Sequence, residues 1–166
     1  MTPPAAVALA APIPSDLLVR PGQIAALLAA TQTLFRALST GRKVDSGLMR
    51  GAMEQAFGGS DAEGLWSWKD AYEAVEAAQV LFLRQYGTSI GGNGRSPAET
   101  LSILERLGAL LPTETRRSET SQALQQFSTP VELTFVAALA ARLASDDLVL
   151  EPSAGTGMLA VQAETL

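Results

Sequence analysis

The tightest constraint on what this chain can fold into lies near its end, in Leu148-Val149-Leu150-Glu151-Pro152-Ser153-Ala154-Gly155-Thr156-Gly157. Three apolar residues meet an acid, and a glycine-rich turn then opens into Met158-Leu159-Ala160-Val161. This order is expected where a buried parallel strand hands its carboxyl end to a tight loop and a helix N-terminus, the arrangement that greets a nucleotide-type ligand. Gly155 and Gly157 carry no Cβ to block close approach or forbid positive φ. The first N–H groups of the coming helix have no partner inside that helix and can donate to a ligand. No Gly-Lys-Ser/Thr follows the glycines, which excludes a P-loop. Gly155-x-Gly157-x-x-Ala160 also fits the short dinucleotide fingerprint, and a ligand-free turn is the plainer reading of the same residues.

A second motif stands upstream. Phe127-Ser128-Thr129-Pro130 precedes an apolar stretch that leads into 148–150. Thr129 is placed as an N-cap, Pro130 as the first helical residue and Glu132 as the reciprocal capping partner. Val131, Phe135, Leu139 and Leu143 could then face a sheet. A well-capped helix start explains these residues without any ligand, but a capped entry also presents a fixed backbone edge to one, so both readings stand.

Taken together and in this order, Phe127-Ser128-Thr129-Pro130 and Glu151-Pro152-Ser153-Ala154-Gly155-Thr156-Gly157 resemble the opening of an adenine-N6-type, S-adenosyl-L-methionine-dependent DNA methyltransferase. In that family both segments bind the cofactor. The resemblance implies that Phe127, Ser128, Thr129 and Pro130 line one wall. Glu151, Pro152, Ser153, Ala154, Gly155 and Gly157 would form the other, with Glu151 facing the ammonium group. The stretch 118–163 also resembles the methylase-like N-terminal portion of bacterial strawberry notch-type proteins, which implies DNA as a partner and a helicase region in the same chain. Phe57-Gly58-Gly59-Ser60-Asp61-Ala62-Glu63-Gly64 and Trp66-Ser67-Trp68-Lys69-Asp70-Ala71-Tyr72 are similar to the helical lead-in of those proteins.

Ahead of these motifs the pattern is helical. Ile24, Leu27, Leu28, Thr31, Phe35 and Leu38 fall at helical spacing, with Gly41 as a stop. A second helix is expected over 46–56, ending at Gly58-Gly59. A third is expected over 68–86, with Tyr72, Val75, Ala78 and Phe82 inward and Gly87 as its terminator. Gly91-Gly92-Asn93-Gly94 reads as a loop. Ser96-Pro97-Ala98-Glu99 reads as a capping box opening a helix that carries Leu101, Leu104, Leu107 and Leu111. Trp66 and Trp68 could offer a base-stacking platform, but such a pair more often anchors a helix start in the core. Arg106 and Arg116-Arg117 could touch phosphates, although a solvated face beside Glu114 and Glu119 is the plainer reading.

Composition narrows the chemistry. Of 166 residues, 47% are hydrophobic, enough for a packed core, while the net charge of −5 argues against a globally basic nucleic-acid surface. The chain has neither cysteine nor histidine, which removes disulfides, thiolate metal sites and the commonest neutral-pH acid/base. A cytoplasmic setting is the default, and no membrane or metal partner is expected. Residues 1–14 are rich in Ala and Pro, but no Lys or Arg precedes Ala8-Leu9-Ala10-Ala11, so a tail is favoured over a signal peptide.

The expected fold is therefore mainly α. A tail over 1–20 and a helical region over 21–115 would lead into the first β-α unit of a truncated, Rossmann-like α/β methyltransferase domain over 116–166. A family enzyme also needs a ribose-binding acid after a second strand and an Asp/Asn-Pro-Pro-aromatic base pocket. Neither follows Gly157 here, since the sole Pro-Pro is Pro3-Pro4. The chain is accordingly expected to be the cofactor-binding front of a longer methylase–helicase, inactive by itself. The rival expectation is a non-catalytic helical adaptor with a degenerate methylase remnant, and a dinucleotide-binding oxidoreductase stands third.

Overall fold

The computed structural model describes residues 21–92, 94–112, 129–144 and 146–165. These form six helices: α1 (Pro21–Ser39), α2 (Ser46–Phe57), α3 (Trp68–Gly91), α4 (Pro97–Ala109), α5 (Val131–Ala141) and α6 (Met158–Thr165). Among the described residues there is no strand. The mainly helical expectation holds, but the expected β-α Rossmann-like unit is wrong. Residues 148–150 belong to no strand among the described residues, and Leu148 is fully solvent-exposed with Leu150 at 87%. A strand is stable only when a neighbour takes its N–H and C=O groups. Among the described residues the apolar run finds no such neighbour.

Helix α3 organises the assembly. Its 24 residues, a length of about 36 Å, pack against α1, α2, α4 and α6. Ala71, Ala74 and Ala78 of α3 are buried, as are Ala30 and Ala37 of α1. Small side chains on both helices let the backbones approach closely, and Leu34, Leu38, Met49, Met53 and Leu83 fill the remaining core. Ile24 and Leu28, expected on the inner face of α1, are exposed instead. The true stripe is rotated toward Ala30, Leu34 and Ala37, because tight helix contact selects small residues as well as large apolar ones.

Local signals account for most helix ends. Asp45 caps α2 by accepting from the Leu48 N–H at 2.8 Å, and α2 stops at Gly58. Ser96 and Glu99 form the expected capping box of α4. The backbone N–H and hydroxyl of Ser96 both donate to Glu99, which holds its carboxyl below the usual range. Ser67 and Asp70 form a second capping box at α3. The indole N–H of Trp66 donates to the Gly59 carbonyl and that of Trp68 to Asp61, while Arg50 lies over the Trp68 ring. Trp66 is buried, and the pair serves as an anchor for the helix start.

Two expected boundaries move. Thr129 does not cap α5: Pro130 occupies the cap position, no side chain bonds there, and the helix begins at Val131. Gly87 does not end α3, which runs on to Gly91. It lies buried where a Cβ would come within 2.8 Å of the Thr165 side chain, so its role is close approach to α6. The tail over 1–20, Arg116-Arg117 and the expected boundary at 115/116 lie outside the described residues.

Close packing at Gly87 predicts a specific cost. Gly87→Ala should destabilise the protein by about 1 kcal/mol or more through overpacking, although Ala is the better helix former. Urea unfolding measures this directly, and adding Thr165→Gly should recover part of the loss.

Candidate functional site

The glycine turn is built by backbone bonds and docked by side chains. The Gly157 N–H donates to the Ala154 carbonyl at 2.7 Å, closing the turn, and the Gly157 carbonyl accepts the first bond of α6 from Val161 at 2.9 Å. Gly155 and Gly157 have φ of +52° and +89°, values that L side chains rarely adopt. Apart from the adjoining residues of the chain, no atom lies within 4 Å of where a Cβ at either glycine would stand. The glycines are thus required by backbone conformation, and the space in front of them is open.

Three contacts tie this unit to α3. The Thr156 hydroxyl donates to Glu76 at 3.2 Å, Arg84 pairs with Glu164 at 3.0 Å, and Thr165 sits against Gly87. They advance along both helices in the same sense, so α6 runs alongside α3 in step. Met158, Val161 and Gln162 are buried beneath. Gln162 donates to the Val131 carbonyl at 3.4 Å, which brings the start of α5 against α6.

Each expected site residue can now be located. Phe127 and Ser128 lie outside the described residues. Thr129 and Pro130 are exposed at the head of α5. Pro152, Ser153, Ala154 and Gly155 are exposed along the turn, and Gly157 is half-buried at its end. Glu151 is half-buried and turns back onto α6, where its carboxylate accepts from the Ala160 N–H at 3.0 Å. An anion placed there satisfies an orphan donor and complements the positive end of the helix dipole. Glu151 therefore has a structural task as well as the one the resemblance implies.

Glu76 and Gln162 escaped the sequence reading. Glu76 lies on a charged face of α3 and is brought to the turn only by tertiary packing. Gln162 sits in an apolar helix, and a lone buried amide there was the available signal.

A small depression lined by Leu83, Ile90, Leu104, Phe135 and Gln162 has room of about 10 Å³, enough for one water. None of its lining residues belongs to the turn. Among the described residues no group of three or more His, Cys, Asp or Glu side chains could hold a metal ion, and no helix is long and apolar enough to cross a membrane.

S-adenosyl-L-methionine can be tested against this geometry. The open turn admits close backbone approach, and a carboxylate offers about four lone-pair sites, so the bond to Ala160 leaves Glu151 capacity for an ammonium. The turn end of such a site fits. In comparisons with protein families, curated proteins and solved structures, nothing matches the chain.

The capping bond yields a prediction. Glu151→Ala should cost about 1 kcal/mol, the usual weight of a helix cap, whereas Glu151→Gln should retain most of the stability because its amide oxygen still accepts. Denaturant midpoints of the two variants check this.

Proposed function

We propose that this chain is a cofactor-binding module that holds the methionine end of S-adenosyl-L-methionine at the turn 151–157. It would act as the front of a DNA-directed, adenine-N6-type methyltransferase within a cytoplasmic methylase–helicase. The observation that carries this reading is the open turn with two positive-φ glycines, a carboxylate at its entrance and a helix N-terminus at its exit. The resemblance of Phe127-Ser128-Thr129-Pro130 and the Glu151–Gly157 turn to that family supports the choice of cofactor. Thr129, Pro130 and Glu151 would contribute polar and shape contacts, and the bound cofactor would supply a methyl group made electrophilic by the sulfonium. Methyl transfer is not assigned to these 166 residues alone, because they hold no Asp/Asn-Pro-Pro-aromatic base pocket.

A second reading, a helical adaptor, is favoured by a different observation. Helix α5 is apolar on most sides, and Leu133, Val136 and Leu139 remain exposed, as do residues 148–150. Apolar surface of this kind commonly marks contact with another protein surface.

An NMR titration with S-adenosyl-L-methionine separates the two. Binding should be weak, in the millimolar range or about 4 kcal/mol, with saturable shifts concentrated at the amides of 151–157 and lost in Gly157→Val. No labelled methyl group should reach DNA. Absence of any saturable shift at the turn would reject the cofactor reading and leave the adaptor.

A further inference from the structure

The turn is short of internal restraints where it matters most. Thr156 stands between two glycines, and glycine loses more backbone freedom on ordering than any other residue. One backbone bond, from Gly157 to Ala154, closes the turn. The Thr156 side chain supplies a further restraint, and its partner is the carboxylate of Glu76 on α3, eighty positions away in sequence. The docking of α6 does not need this bond. That helix is already held by the Arg84–Glu164 pair, by the close approach at Gly87 and by buried Met158 and Val161.

We propose that Glu76 is a positioning residue, fixing the Gly155-Thr156-Gly157 turn in its ligand-accepting shape through the Thr156 hydroxyl. The helical layer is then part of the binding site and not merely a lead-in to it. The inference rests on the cofactor reading for the identity of the ligand, but the restraint on the turn is a property of the unliganded chain. Glu76 acts through Thr156, so it selects the turn's conformation without touching the ligand. A carboxylate suits this role because a charged acceptor strengthens the hydroxyl hydrogen bond.

The test uses the full 166-residue chain and two readouts, amide hydrogen exchange without ligand and affinity for S-adenosyl-L-methionine by NMR titration. In Glu76→Ala and Thr156→Val, exchange at Gly157 should accelerate and affinity should fall about fivefold, the weight of one lost hydrogen bond. Exchange at Gln162, which is buried within α6 and beyond the amide that bonds to the turn, should stay as in the wild type. Thr156→Ser keeps the hydroxyl and should behave nearly as the wild type, and Glu76→Gln keeps a neutral acceptor and should lose less than Glu76→Ala. The double variant Glu76→Ala/Thr156→Val should be no worse than either single change. Unchanged exchange at Gly157 in Glu76→Ala overturns the proposal, as does equal loosening at Gly157 and Gln162, which would mark Glu76 as general scaffolding. Should the wild type itself fail to bind, the cofactor reading falls, and exchange at Gly157 alone decides whether Glu76 positions the turn.

Discussion

Close packing along α3 is the constraint on which the rest of the structure depends. One helix presents buried small residues, Ala71, Ala74, Ala78 and Gly87, along with the larger Val75 and Leu83. It thereby supports α1, α2 and the α6 unit together. Small residues bring backbones together, and large neighbours fill the flanks, so most of the burial is earned by shape as much as by apolar area. Polar groups caught inside are satisfied locally: Thr31 donates to Leu27, Thr100 to Ile90, Thr134 to Val131 and Gln162 to Val131. Among the described residues no buried side-chain polar atom lacks a partner.

This scaffold changes how the glycine turn must be understood. A turn of this composition is expected at the edge of a parallel sheet, where neighbouring strands hold it. Here the apolar run before it is solvated, and the turn takes its support from a helix through Glu76 and from its own exit helix through Glu151. The carboxylate of Glu151 stabilises the α6 N-terminus at the point where an anionic ligand group would also be drawn.

How much was legible in the sequence depended on the range of the deciding interaction. Helix α2 and the Ser96/Glu99 start of α4 were readable because capping is decided within four residues. The inner stripe of α1 was misjudged because Ala30 and Ala37 carry little hydrophobic signal, yet tight contact with α3 puts them inside. Gly87 looked like a stop because glycine is a poor helix former, whereas the approach of Thr165 makes it a packing position. Leu148-Val149-Leu150 looked like a buried strand because apolar runs usually are, but burial requires a partner that local pattern cannot supply. Thr129 carried the residue type of a cap, but Pro130, although its φ of −53° suits a helix, holds an extended ψ of 143°, so the helix starts past it. In the site, the glycines were readable from their spacing. Glu76 was not, because its link to Thr156 exists only once α3 and α6 lie side by side.

The central claim is that the glycine turn is carried by a helical layer and not by a sheet. Residue-resolved chemical shifts and amide exchange of the wild-type chain test it most directly. The account requires slow exchange through the middle of α3 and at Val161, together with coil-like shifts and fast exchange at Leu148, Val149 and Leu150. Strand-type shifts with protected amides at 148–150 would contradict it, since they would mean that the run has found a pairing partner and that a sheet, not α3, supports the turn.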